Sequence, residues 1–305
     1  MSTLFKRAAF KTFFLLDRLG FHFLPKHFYS PVPDYKWLAE NRTAWARASC
    51  MPGVEWDLDA QLAWVKQTCE RYYQEVEGLQ FFQELTSGSW GLGFGPIESQ
   101  VLHCVIRDWR PAHIIEIGSG VSTICMLNAV GKNSAEGGSA PEILCIEPFP
   151  RPALRNSGQI RLLRDYCQNV PASTFAGLSD GDLLFIDSSH AVKIGSDVLR
   201  IYLEIVPRLK PGVLIHVHDI FLPYLYPRDA LDKPFGWQET SLLLALLINN
   251  PRLEVLACLS ALHYGRPKEL KELLRDYEPA ANLDGLSDPH RPSGHFPSSL
   301  WLRTR

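Results

Sequence analysis

Three short clusters hold residue types that move protons or bind cations: Asp187-Ser188-Ser189-His190, His216-Val217-His218-Asp219 and Trp237-Gln238-Glu239. A histidine beside a carboxylate can take a proton from a hydroxyl near neutral pH. Two carboxylates with an imidazole can instead hold a divalent cation that lowers the hydroxyl's pKa. Each residue also has a plainer role. Asp187 could bond only loop N–H groups, His190 could cap the helix that follows, and Glu239 could face a pocket or favour its own helix dipole. His216 alternates with Val217 along an apolar run, which marks it as a satisfied buried histidine outside the catalytic set.

The clusters sit at the ends of short apolar runs. His113–Ile117 ends in Glu-x-Gly-x-Gly, Ile143–Ile146 ends at Glu147, Leu183–Ile186 at Asp187, and Val213–Val217 at His218-Asp219. Helical stretches over Ser122–Val130 and Asp197–Leu209 separate them, the second stopped by Lys210-Pro211-Gly212. Short buried strands alternating with helices predict a parallel sheet covered on both faces, with ligands held beyond the carboxyl ends of its strands. Upstream, apolar residues recur at helical spacing from Trp56 to Phe82 with Asp57 as N-cap; glycines 88, 91, 93 and 95 mark a loop, and Ile97–Trp109 reads as a helix. Downstream, a helix near Trp237–Leu247, a strand near Leu253–Cys258 and a Pro/Asp/Gly-rich stretch, 278–298, precede a strand-like Leu300-Trp301-Leu302.

The segment Glu116-Ile117-Gly118-Ser119-Gly120-Val121-Ser122-Thr123 is a strand-to-helix turn where glycine lets a ligand approach the backbone and the helix N-terminus offers free N–H groups. A dinucleotide fingerprint would place glycine where Thr123 stands and an acidic residue about 20 positions on; Glu147 comes later than that. Glu147 remains well placed to accept hydrogen bonds from two ribose hydroxyls, or to be a plain surface carboxylate.

E-I-G-S-G-V-S-T, then I-E-P, then L-L-F-I-D-S-S-H, then L-K-P-G-V-L-I-H-V-H-D-I-F resemble the ordered motifs of class I S-adenosylmethionine (SAM)-dependent methyltransferases, in particular bacterial small-molecule methyltransferases. The resemblance covers about residues 95–260 plus the final strand. It implies an α/β Rossmann-like fold whose seven-stranded, mostly parallel sheet takes an antiparallel last strand near Ser299–Arg303. It divides the chain into an N-terminal helical extension or lid, 1–90, and a methyltransferase domain, 91–305. It further implies that Glu116, Gly118 and Gly120 face the methionine end of SAM, with Ser119 and Ser122 among the cofactor-binding residues. Glu147 and Asp187 would join the cofactor set, with Gln168, Asn169 and Val170 near the adenine. By similarity to metal-dependent O-methyltransferases, Asp187, His218 and Asp219 would hold Mg²⁺ or Mn²⁺, and His190 would take the proton. His190, Asp219 and His218 are thus the catalytic candidates, with metal use left open because a histidine is unusual among Mg²⁺ ligands.

With 46% hydrophobic and 21% charged residues and a net charge of −2, the chain reads as an ordinary globular enzyme with no broad electrostatic claim on nucleic acid. Seven cysteines without CxxC or zinc-like spacing suit a reducing cytoplasm. Residues 4–24 are rich in Phe and Leu but interrupted by Lys6, Arg7, Lys11, Asp17 and Arg18. They read as an amphipathic basic helix that packs on the body, joins a homodimer, or touches a membrane surface through residues 1–30. The expected acceptor is a small molecule or sugar hydroxyl, stacked on aromatics such as Tyr224, Tyr226 and Trp237. N-methylation of a small metabolite, SAM binding without catalysis and, behind them, NAD-dependent oxidoreduction are the alternatives.

Overall fold

Side chains of the central strands point alternately to two separate cores. Leu183 and Phe185 join one, Leu184 and Ile186 the other, as a pleated strand buried on both faces requires. A computed structural model describes residues 12–22, 24, 26, 29–88, 93–155, 157–234, 236–288, 290–291 and 294–305. Its seven-stranded sheet comprises β1 (His113–Ile117), β2 (Glu142–Ile146), β3 (Arg161–Leu163), β4 (Leu183–Ile186), β5 (Leu214–Val217), β6 (Leu253–Cys258) and β7 (Leu300–Thr304). The order is β3-β2-β1-β4-β5-β7-β6. β7 runs antiparallel between β5 and β6, and the pairs β3-β2, β2-β1, β1-β4 and β4-β5 are parallel. This is the α/β Rossmann-like class I fold that the motif order implied. The chain reverses its strand order at β1 and β4, which places the ligand crevice at the carboxyl ends of those two strands.

One face is covered by helices Pro96–Trp109 and Val121–Ala135. Helix Leu58–Cys69 joins the same core through Val65 and Cys69, and helix Leu79–Thr86 through Phe81 and Leu85. Asp57 caps the first of these as expected, accepting from the N–H groups of Asp59 and Ala60. The single helical run expected over Trp56–Phe82 is interrupted. A 3₁₀ turn at Tyr73–Glu75 and Gly78, at φ +98°, break it, because glycine takes the left-handed region without a Cβ penalty. The opposite face is covered by helix Glu239–Leu247 and by the stretch Asp197–Arg208, which begins as α-helix, widens to a π-turn over Ile201–Ile205 and tightens at Val206–Arg208 around Pro207.

Residues 12–17 are helical, and Phe14 and Leu15 on that turn are 62% and 61% exposed. Residues 1–11 of the expected amphipathic segment, and Gly91 of the glycine loop, lie outside the described residues. Among the described residues no helix is long and apolar enough to cross a membrane.

Candidate functional site

The loop after β1 is built around a buried carboxylate. Glu116 is fully buried; one oxygen accepts from Ser122 Oγ at 2.7 Å, and the other from Thr123 Oγ1 at 2.7 Å and Cys145 Sγ at 3.1 Å. Burial pushes this carboxyl up to about 7, against the pull of those three donors. Thr123 Oγ1 also accepts from Gly120 N at 3.1 Å, closing the turn. Glu116 and Ser122, expected to face the cofactor, therefore turn inward and tie the helix Val121–Ala135 to β1. Thr123, the residue that replaces the dinucleotide glycine, belongs to the same tie.

Gly118 holds the turn at φ +83°, and a Cβ there would stand 2.3 Å from the Asp187 carbonyl oxygen. Only glycine lets the β1 loop lie this close to the end of β4. Beside it opens a cavity of about 340 Å³ lined by Gly118, Glu147, Phe149, Gln168, Asp187 and Ser188, among others. Gln168 reaches the cavity, whereas Asn169 turns away to bond Asp165 Oδ1 at 2.7 Å and Val170 is buried in the core. Gln168 Oε1 in this lining, and Ser119 Oγ next in the chain to Gly118, are shut off from solvent and lack a hydrogen-bond partner among the described residues. Orphaned buried atoms beside a cavity call for a ligand that bonds them. The geometry therefore fits a cofactor lying along Gly118, Glu147 and Gln168.

At the ends of β4 and β5 the three polar clusters meet. Asp187 Oδ1 lies 3.5 Å from His190 Nε2 and 3.4 Å from His218 Nδ1; Asp219 Oδ2 lies 3.6 Å and 3.8 Å from the same two atoms. Below them, His190 Nδ1 is 2.6 Å from Glu239 Oε2, and Tyr202 donates to Glu239 Oε1 at 2.7 Å. On the other side His218 Nε2 is 3.3 Å from Glu98 Oε1, which also accepts from Ser298 N and Oγ at 2.8 and 2.9 Å. Ser298 Oγ further reaches Asp219 Oδ1 at 3.0 Å. His190 and Asp219 both hold left-handed backbone, at φ +57° and +54°. Such strain in non-glycine residues persists only where the surroundings enforce it, and it gathers at functional sites.

The electrostatics follow from this crowding. Burial alone would depress His190, but bonding to Asp187 and Glu239 overcomes it and raises the imidazole to about 10. Burial likewise opposes the charge on His218, and Asp219 and Asp187 reverse it, holding the ring protonated. Burial would raise Asp187, yet the two histidines keep it well below the usual carboxylate range. Asp219 goes the other way: burial outweighs His218 and His190 and makes it more basic than an ordinary aspartate. Two imidazolium groups thus sit among four carboxylates, with Asp187 and Asp219 partly open to solvent and both histidines beneath them.

Asp187, His218 and Asp219, expected to ligate a metal, do come together, but as ion pairs. Among the described residues no group of three or more His, Cys, Asp or Glu side chains is arranged to hold a metal ion. His216 is fully buried, bonded to Ser299 Oγ at 2.8 Å and stacked on Phe185 at 4.2 Å, in the structural role expected of it. Glu98 and Ser298 are site residues that sequence reasoning missed. A carboxylate in the first turn of helix Pro96–Trp109 reads as a helix-dipole partner, and nothing near it in sequence announces His218.

Residues 115–220, from β1 to the end of β5, match the family model described as "Methyltransferase domain". A search of curated proteins gave no match. Among solved structures the chain is similar to the MycE methyltransferase of the mycinamycin biosynthetic pathway, in complex with Mg, SAH and mycinamycin VI, at 15% identity and TM-score 0.37. That match covers 73% of this chain and 53% of the other, so the chain spans about half that protein's length. It is also similar to a TDP-rhamnose 3'-O-methyltransferase of calicheamicin biosynthesis, at 13% identity, covering 86% and 97% of the two chains with TM-score 0.34. A third likeness is to a methyltransferase from Thermobifida fusca, at 9% identity over 87% and 97% of the chains, TM-score 0.33.

Proposed function

We propose that this chain, whose residues 115–220 match a methyltransferase-domain model, is a class I SAM-dependent methyltransferase that methylates a hydroxyl of a small-molecule or sugar acceptor, with Asp219 taking the proton. One observation carries the assignment: Asp187 lines the cofactor cavity and also belongs to the ion-paired cluster, so cofactor and proton-moving groups share one residue. When bound, SAM supplies a methyl group on a sulfonium, open to in-line attack by an oxygen lone pair.

The residues divide the remaining work. Gly118, Ser119, Glu147 and Gln168 hold and orient the cofactor through close backbone approach and unsatisfied polar atoms. Asp187, kept ionised by its two imidazolium neighbours, sets a fixed negative charge where the sulfonium would lie. Asp219, made more basic by burial and partly open, accepts the hydroxyl's proton as the oxygen attacks. His190 was expected to be the base. It already carries a proton at neutral pH, and it acts instead by steering Asp187 and Asp219 from below, anchored by Glu239. His218, braced by Glu98, does the same from the other side.

Asp187, His218 and Asp219 remain the set that a metal-assisted variant would use. Among the described residues no group of three is arranged around an ion, and the chemistry above uses none. Calorimetric titration with SAM and S-adenosylhomocysteine, followed by Asp219→Asn kinetics, tests the reading. Micromolar binding with loss of turnover in the variant supports it; unchanged turnover assigns the proton elsewhere and leaves a cofactor-binding protein indifferent to Asp219.

A further inference from the structure

A second cavity, of about 580 Å³, adjoins the site and is lined mostly by residues outside the 115–220 match. One wall is the segment before the first core helix, with Tyr35, Leu38 and Trp45; the other is the loop and helix start around Tyr226, Trp237 and Gln238. The two walls are fastened to each other. Tyr35 donates its hydroxyl proton to Lys233 O at 3.3 Å, Trp45 packs edge-on against Tyr226 at 4.7 Å, and Ser49 N donates to Pro223 O at 2.8 Å.

Its chemistry is uniform. No described lining residue carries a charge, and aliphatic side chains sit beside the aromatic faces of Tyr35, Trp45, Tyr226 and Trp237. The hydroxyls at its edge are already committed within the protein: Tyr226 to Asp284 O at 2.7 Å, Ser241 to Leu225 O at 3.4 Å. The volume falls within the range of about 300–1,000 Å³ usual for small-molecule sites.

Its position links it to the reaction. The Trp237 ring lies 4.5 Å from the His190 ring, and the N–H groups of Gln238 and Glu239 donate to His190 O at 3.0 and 3.3 Å. The strand-end segment after β4 is a shared partition: Ser188, Ser189 and Lys193 line the cofactor cavity, and Val192 lines this one.

We propose that this cavity receives the body of the methyl acceptor, and that the acceptor is an uncharged, ring-bearing molecule. This rests on the methyltransferase reading above. The rings lie against the wall formed by Trp45, Tyr226 and Trp237, while a hydroxyl at one end passes the Trp237 edge toward Asp219. A charged body is disfavoured because nothing in the lining would compensate its desolvation. The N-terminal segment is then a wall of the acceptor site.

The test uses the full chain and two matched probes, 4-phenylphenol and biphenyl-4-carboxylate, followed by tryptophan quenching and calorimetry. The neutral probe is expected to bind at least ~10-fold tighter than the carboxylate. Ala230→Trp, which fills the cavity, and Trp45→Ala, which removes a wall, should each weaken the phenol at least ~10-fold while S-adenosylhomocysteine binds as before. No phenol binding by the unaltered chain, equal binding of the two probes, or undiminished phenol binding in Ala230→Trp would each overturn the proposal. Failure to bind S-adenosylhomocysteine in the same samples counts against the methyltransferase reading instead, so the two failures are told apart.

Discussion

His190 Nδ1 lies 2.6 Å from Glu239 Oε2, a charge-assisted bond between the loop after β4 and the first residue of the helix Glu239–Leu247. Glu239 is 1% exposed and also accepts from Ser188 and Tyr202 at 2.7 Å each. A carboxylate so bonded favours its partner's protonated form, which supports the proposal that His190 positions the site and Asp219 takes the proton.

The first prediction follows for Asp219. Asp219→Asn keeps the shape and the Ser298 contact but removes the proton acceptor. Turnover should fall by about 10²-fold or more with S-adenosylhomocysteine affinity preserved. Steady-state kinetics beside calorimetry checks this; a kcat within a few-fold of the parent removes Asp219 from the chemistry.

His190 gives a pH signature. Its pKa rises from 6.5 to about 10 on folding, so its protonation stabilises the fold fully below pH 6.5, and that stabilisation is lost as pH climbs toward 10. Thermal melts of the parent should therefore fall more steeply than those of His190→Gln between pH 7 and 10. Parallel curves would show that the ring is not held protonated.

Glu116 gives the opposite residue type with the same sign. Its pKa rises from 4.5 to about 7, so ionising it costs the folded state stability, progressively, as pH rises from 4.5 through 7. The full effect is on the order of 3 kcal/mol. Glu116→Gln should flatten the stability profile across this window, as read by denaturant melts at pH 5 and pH 7.5; an unchanged slope would refute the raised carboxyl.

Gly118→Ala forces a Cβ into the Asp187 carbonyl at a positive φ. The β1 loop must move away from β4, and S-adenosylhomocysteine affinity should drop at least ~10-fold. Calorimetry on the folded variant decides; parental affinity would mean the turn does not seat the cofactor.

Chelation tests the proton cluster against the metal reading. With Asp187, His218 and Asp219 paired as ions, turnover should survive a strong chelator and gain nothing from Mg²⁺ or Mn²⁺. Loss of activity in chelator, restored by either ion, would assign those three residues to a metal.

The sheet was legible because its buried strands are short apolar runs ending in polar residues, a pattern local to each strand. The boundaries Leu183–Ile186 and Leu253–Cys258 are those read from sequence, and β7 was foreseen as antiparallel. The three-residue edge strand Arg161–Leu163 was not read, since one exposed and two partly buried residues form it and no run announces them. Site residues at strand ends were likewise legible, whereas the partners that set their charge were not. Glu98 meets Ser298 across 200 positions and Glu239 meets His190 across 49, distances at which composition carries no pairing signal. Glu116 and Asn169 were expected at the cofactor, and a motif gives a residue's address without the direction of its side chain; here one is bonded inward, the other turned to Asp165.

Titration of the full chain with S-adenosylhomocysteine, alongside Glu147→Ala, tests the central claim most directly. The cavity lined by Gly118, Glu147 and Gln168 predicts micromolar binding by the parent and a loss of at least ~10-fold in the variant, from the ribose hydrogen bonds expected of Glu147. A folded parent that binds no S-adenosylhomocysteine would contradict the account.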